Sequence, residues 1–206
     1  MVRRFAPLAV AIACGSVAAP AFAQQAGEWT IGIGAHQVNP KSDNGSLAGG
    51  TLDADVGSNV RPTITAEYFL RDNLGLEVLV SFPFQHDLDI VGVGRVGSTK
   101  HLPPTISLQY HFGQGTVKPF IGGGVNYTRF FSTDTSGALA GSELELDDSF
   151  GLAVHAGIDF EVSQNGSIRI DARWIDIDTD VTLNGADIGT VNIDPLVYGA
   201  PYVFKF

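Results

Sequence analysis

The sequence predicts an all-β fold: an eight-stranded antiparallel transmembrane β-barrel with short periplasmic turns and four long extracellular loops. Three observations carry this expectation. Eight stretches alternate apolar with small or polar residues at a period of two, so each strand shows one greasy and one polar face. The connections between them alternate short and long, which separates the two ends of the structure. The polar faces collect Glu67, Glu77, Asp159, Arg169, Asp171 and Arg173, too many charges for the interior of a soluble barrel, whose polarity runs the other way.

Taken in order, Trp29, Ile31, Ile33 and Ala35 alternate with Thr30, Gly32, Gly34 and His36 in the first strand. In the second, Pro62, Ile64, Ala66 and Tyr68 oppose Thr63, Thr65 and Glu67. The third sets Leu74, Leu76, Val78, Val80 and Phe82 against Gly75, Glu77 and Ser81. The fourth sets Ile106, Leu108, Tyr110 and Phe112 against Thr105, Ser107, Gln109 and His111. The glycine-rich fifth covers 117–131, with Ile121, Val125 and Tyr127 facing away from Gly122, Gly124, Asn126 and Thr128. Phe150 to Phe160 and Ile168 to Trp174 supply the sixth and seventh. The eighth carries Leu196, Tyr198, Ala200, Tyr202, Phe204 and Phe206 on one face. Each stretch is about as long as the roughly nine to eleven residues that a tilted strand needs to cross hydrocarbon, or somewhat longer. Residues 71–73, 113–116 and 163–167 read as tight turns, and 39–59, 86–99, 132–148 and 176–190 as the long loops.

Residues 1–23 read as a secretory signal peptide, removed to leave a barrel domain over 24–206. Arg3 and Arg4 precede an apolar run from Phe5 to Ala13, and Ala21-Phe22-Ala23 is an A-x-A cleavage site. Ala11-Ile12-Ala13 is a poor lipobox ahead of Cys14, so lipoprotein processing is set aside. Loss of Arg3 and Arg4 takes the formal charge from −10 to −12, and such acidity excludes nucleic acid as a partner. Beyond the signal peptide no run of about 18 apolar residues exists, so any membrane crossing must use strands.

Glu67 and Glu77 lie symmetrically about Asp72, so a hairpin sets them side by side on the inner face, with Arg169 and Arg173 on the inner face of a later strand. Paired carboxylates can do acid–base chemistry when one pKa is raised by the other. The simpler reading, adopted here, is a salt-bridged plug of Glu67, Glu77, Asp159, Arg169, Asp171 and Arg173 in an interior barely wide enough for side chains. A plugged lumen sends solute sideways between strands. Pro83, Pro103 and Pro104 interrupt strand patterns, and a proline cannot donate to a ladder; they mark either a lateral opening or plain strand ends. Leu52, Val56, Phe84, Leu88, Leu102 and Leu144 lie at strand ends and in the long connections. They line a greasy vestibule or hold the loops together.

No metal site is expected. The five histidines lack zinc-ligand spacing, although His86 and His101 straddle the second long loop and can meet across it. Asp176, Asp178 and Asp180 share one side of an extended chain without a calcium-loop pattern and read as a solvated face. Ser81, Ser107, His111, His155 and Asp159 are inward polar groups outside any nucleophile motif, so no enzyme and no cofactor are expected.

Several segments carry a resemblance: Pro83-Phe84-Gln85-His86-Asp87; His101-Leu102-Pro103-Pro104-Thr105 followed by Leu108-Gln109-Tyr110-His111-Phe112; Lys118-Pro119-Phe120-Ile121-Gly122-Gly123-Gly124-Val125-Asn126-Tyr127-Thr128; and Ile193-Asp194-Pro195. In register across essentially the whole mature chain, they resemble the OmpW family of small outer-membrane proteins. The resemblance implies a Gram-negative outer-membrane location, and a narrow hydrophobic passage serving uptake of small hydrophobic ligands through the vestibule residues. It also implies an alternative, a structural or surface-recognition barrel that binds phage, bacteriocin or lipopolysaccharide and transports nothing. Outer-membrane lipids, lipopolysaccharide and the barrel assembly machinery are the implied partners of a monomer. Tyr202, Phe204 and Phe206 would form the assembly signal, with Lys205-Phe206 departing mildly from an Arg-Phe ending.

Overall fold

The computed structural model describes residues 24–113 and 115–206; the expected signal peptide over 1–23, with Cys14, lies outside them. The described strands are β1 (Trp29–Asn39), β2 (Ser46–Leu47), β3 (Leu52–Val56), β4 (Asn59–Arg71), β5 (Leu74–Ser81), β6 (Phe84–Ile90), β7 (Gly94–Leu102) and β8 (Thr105–His111). They continue with β9 (Val117–Thr135), β10 (Leu144–Leu146), β11 (Ser149–Ser163), β12 (Gly166–Ile175), β13 (Asp178–Leu183), β14 (Ala186–Asn192), β15 (Leu196–Gly199) and β16 (Tyr202–Lys205). Every pairing is antiparallel.

The barrel is the closed cycle β1–β4–β5–β8–β9–β11–β12, completed by β15 and β16, which together occupy one position between β12 and β1. Pro201, which has no N–H to give, lies at the break between β15 and β16. Closure leaves no unpaired edge, the condition for strands to stand in lipid. Polarity is inverted as the pattern demands. Phe150 is 72 % and Ile170 57 % exposed on the outside, whereas Glu67 and Glu77 on the inside are 1 % exposed.

Turns at one end are tight, with Asn73 in the left-handed region (φ 64°) between β4 and β5. At the other end the four long connections carry strands of their own. Residues 86–99 and 176–190 are mostly strand, and 39–59 and 132–148 partly so: β2, β3, β6, β7 and the upper part of β9 extend the barrel sheet, while β10, β13 and β14 pair as a separate three-stranded sheet. Their Gly, Asp and Asn residues serve hairpin tips rather than irregular loops. Asn184 and Gly185, at φ 52° and 77°, make the Asn-Gly turn that a two-residue hairpin favours. These extensions enclose an apolar core of their own, including Val38, Val56, Phe84, Ile90, Phe130 and Val181.

Inside the membrane zone, glycine makes room for charge. A Cβ on Gly75 would meet the Glu67 carboxylate, and one on Gly199 would meet His36 and Asp171. Gly75→Val is therefore expected to lower the unfolding free energy by about 1–3 kcal/mol, the usual cost of overpacking. Urea titration of the refolded barrel, followed by heat-modifiable gel mobility, measures it.

Candidate functional site: an apolar cavity above a sealed lumen

The lower lumen is filled by one ionic network. Arg169 binds Asp159 through Nε at 2.7 Å and Nη2 at 2.9 Å, donates from Nη1 to Glu77 at 3.0 Å, and reaches Glu67 at 3.4 Å. Its guanidinium lies 4.4 Å over the Phe120 ring. Arg173 Nη2 donates to the other Glu77 oxygen at 2.6 Å, and Gln109 adds a bond at 3.1 Å. Four carboxylates face two guanidiniums, and imidazoles lie against the excess: His111 at 2.8 Å from Glu67, His36 at 3.3 Å from Asp171. Five of the six expected plug residues thus form one network, while Asp171 pairs with His36, whose other nitrogen meets Thr63. The alternation already placed His36, Gln109 and His111 on the inner face, but only the closed barrel shows which charges they meet.

Of the polar groups weighed for catalysis, Ser107 accepts from Arg173 at 3.4 Å, while neither Ser81 Oγ nor either His155 nitrogen has a hydrogen-bond partner. Among the described residues no serine hydroxyl is hydrogen-bonded to a histidine as a nucleophile would be to its base.

Above the plug, the strand extensions surround a cavity of about 190 Å³ with almost wholly aliphatic walls. Leu52, Val56, Leu88 and Leu144 line it, together with Ile90 beside Leu88 on β6 and with Leu47, Val96, Leu139 and Val181 from four further segments. Phe84 does not: its ring lies against His86 and His101. Leu102 does not either, because Pro103 and His101 take the inner positions and Leu102 pairs with the outward Arg129.

The wall beside this cavity is incompletely laddered. The β4–β5 ladder ends at Thr63 and Ser81, and β3–β6 pairing resumes at Val56 and Leu88. In between, Phe82 N–H donates to Pro62 O and Gly57 N–H to Asp87 O, both at 3.1 Å, and side chains make the rest of the seam: Arg61 Nε donates to Pro83 O at 3.0 Å, Gln85 N–H to Asn59 Oδ1 at 3.5 Å, and His86 Nδ1 to Gly57 O. Gly57, Ser58, Asn59, Arg61, Gln85 and Asp87 border an opening of about 160 Å³ there. A second, of about 510 Å³, lies across the same bend against Asn39–Ser42 and Leu196. The cause is Pro83, which resets the alternation: Phe82 points outward at 62 % exposure and Phe84 inward at 1 %. Pro103 and Pro104 also interrupt a strand, but Asn126 Nδ2 donates to both of their carbonyls at 3.1 Å and closes the gap.

His86 and His101, above the lipid-facing belt, do meet, their Nε2 atoms 3.1 Å apart. Gly57 O can only accept, so His86 Nδ1 holds the proton, and a neutral His86 offers a bare Nε2. His101 must then donate from Nε2, which leaves its Nδ1 bare, buried and unpartnered. Burial pushes both imidazoles below the ordinary histidine range, His101 well below it. The Gly57 carbonyl and Asp87 draw His86 back up, and Arg61 pushes it down.

Asp176 and Asp178 converge with Asp194 rather than with Asp180. Lys41 Nζ lies 2.8 Å from Asp194 and Asn192 Nδ2 2.5 Å from Asp178, while Asp180 accepts from Thr190. At the lower rim Phe204 and Phe206 face outward, with Tyr202 packed on Phe204 at 4.7 Å.

The OmpW family profile matches residues 25–206. Outer membrane protein W of Vibrio cholerae is 36 % identical over 212 residues, 97 % of each chain. The crystal structure of outer membrane protein OprG from Pseudomonas aeruginosa matches with a TM-score of 0.79 at 31 % identity, covering 89 % of this chain and 98 % of that one. The dibenzothiophene metabolism operon protein PahQ of Pseudomonas aeruginosa is 27 % identical over 194 residues, 88 % of this chain and 87 % of its own. Kinship of this extent places the chain in the outer membrane of a Gram-negative bacterium.

Two outcomes are expected from this geometry. Arg169→Ala takes a partner from three carboxylates, leaves Asp159 without an arginine, and should cost about 3–5 kcal/mol, read by urea unfolding of the refolded barrel. His101 is neutral when folded and free to protonate when unfolded, so the unfolded state binds more protons below the ordinary value of 6.5. Stability of the upper assembly is then complete above that pH and falls as the pH drops below it. Protease cleavage of the β6–β7 hairpin should rise on acidification, and His101→Leu should flatten that dependence.

Proposed function

Because this chain belongs to the OmpW family, we propose that it is an outer-membrane channel for small hydrophobic molecules, which it takes up from outside and releases sideways into the membrane. The observation that carries this reading is the cavity. A dry apolar space of about 150 Å³ suffices to hold benzene, and this one, of about 190 Å³, is walled by aliphatic side chains from many segments. Leu52, Val56, Leu88 and Leu144 form the passage; Phe84, packed on His86 and His101, lies outside it. Leu102 has no part in it.

The ionic plug blocks the straight path, so the exit is lateral. Of the three prolines, Pro83 borders the exit and Pro103–Pro104 do not. The relative named for a dibenzothiophene metabolism operon supports the substrate class, since dibenzothiophene is three fused apolar rings. On the same reading the chain acts as a monomer, its hairpins meet lipopolysaccharide, and Tyr202, Phe204 and Phe206 present the signal for barrel assembly. A sealed lumen equally suits a recognition barrel for phage or bacteriocin; the aliphatic cavity, which such a role does not need, favours transport.

The test is uptake of labelled dibenzothiophene into vesicles carrying the refolded barrel. Leu88→Asp, which sets a charge in the cavity wall, should slow uptake about tenfold or more with gel mobility unchanged. Wild-type uptake no faster than in protein-free vesicles would leave the recognition reading in its place.

A further inference from the structure

His86 stands where the two features of the proposed channel touch. Its side chain lines the apolar cavity, while Gln85 and Asp87 on either side of it, and Gly57 which it binds, border the side opening. We infer that His86, braced by His101, is the gate between cavity and opening and sets which solutes leave sideways. This rests on the channel reading above.

The bonding supports a movable partition. His86 reaches the Gly57 carbonyl, at the bend that joins β3 to β4, so the ring that closes the cavity also pins the wall segment that would move. Among the described residues, three side-chain bonds and one backbone bond, Gly57 N–H to Asp87 O at 3.1 Å, tie residues 57–61 to residues 83–87. Releasing His86 removes one of the four.

His101 supports the ring from behind. The two rings meet edge to face with centroids 4.8 Å apart, and His101 is backed by Phe84 and Phe130 at 5.6 Å each. Since His101 Nδ1 has no partner, turning that ring forfeits only its bond to His86. Burial keeps both rings neutral around pH 7, so the gate works by ring volume and hydrogen bonding. The charged groups nearest His86, Arg61 and Asp87, lie on the far side of it, in the opening.

The experiment compares His86→Ala, His86→Gln and His101→Ala in the refolded barrel, each checked for assembly by gel mobility. One hydrogen bond of ordinary net strength corresponds to about a fivefold change in an equilibrium constant. His86→Ala should therefore speed amide exchange at Ser58 and Asn59 about fivefold. It should raise uptake of a three-ring solute relative to benzene by a similar factor. His86→Gln, which keeps a donor for Gly57 O, should raise the solute ratio with little change in exchange. His101→Ala should shift the ratio in the same direction and carries the test if His86→Ala fails to assemble. A transporting wild type whose variants keep its solute ratio overturns the gate alone. A wild type that takes up neither solute overturns the channel reading and the gate with it.

Discussion

Eight strands enclose a space about as wide as the side chains that fill it, and the rest of the molecule depends on that limit. The inner face of such a barrel cannot be a pore and cannot be left empty. Here it holds four carboxylates, two guanidiniums and the imidazoles beside them, almost all buried. Each charge is tolerable only because its neighbours are fixed, and the centre of the arrangement is Arg169, whose fork holds Asp159, Glu77 and Glu67 at once. The glycines at 75 and 199 belong to the same design, since a side chain at either would displace a charged partner.

A solid lumen moves the chemistry upward. Above the lipid-facing belt the strands no longer meet acyl chains, and the polarity of the sheet reverts to that of a soluble protein, with apolar residues inside. Pro83 makes the change on one strand by turning Phe84 inward directly after the outward Phe82. The reversal has a local cost: between residues 57–61 and 83–87 the ladder is reduced, with Gly57 N–H to Asp87 O kept and side-chain bonds in place of the rest. The cavity and the weakest stretch of wall thus arise together from the same change of polarity.

The barrel was legible from the residues because period-two alternation is strong when the two faces meet lipid and charge. The plug was legible for a related reason, as each member sits on the inner parity of its own strand. The strands within the long connections were not legible. Their composition is that of hairpin tips, and segments as short as β2 and β10 leave too few residues for a period to show. Leu102 was misplaced because its apolar character said nothing of the parity that Pro103 imposes. The stitching of Pro103–Pro104 by Asn126, and the union of Asp194 with Asp176 and Asp178 across distant segments, depend on three-dimensional closure that no local pattern encodes.

On the channel reading proposed above, two routes lead out of the cavity, and their costs differ. Downward, a solute must displace Arg169 or Arg173 from buried partners, at about 3–5 kcal/mol for each pair broken, and would then stand among charges with no apolar contact. Sideways, it must part the bonds of Arg61, Asn59 and His86 and that of Gly57 N–H to Asp87 O, each worth about 1 kcal/mol net, and can re-form them behind it. Beyond that single polar layer lie Val60 and Phe82, both more than half exposed on the outer face, at the top of the lipid-facing belt. An apolar solute regains outside the wall what it gave up in leaving the cavity, while on the downward path it regains nothing. The difference favours the lateral route as long as the plug holds, which makes the ionic network below as necessary to the direction of release as the seam above.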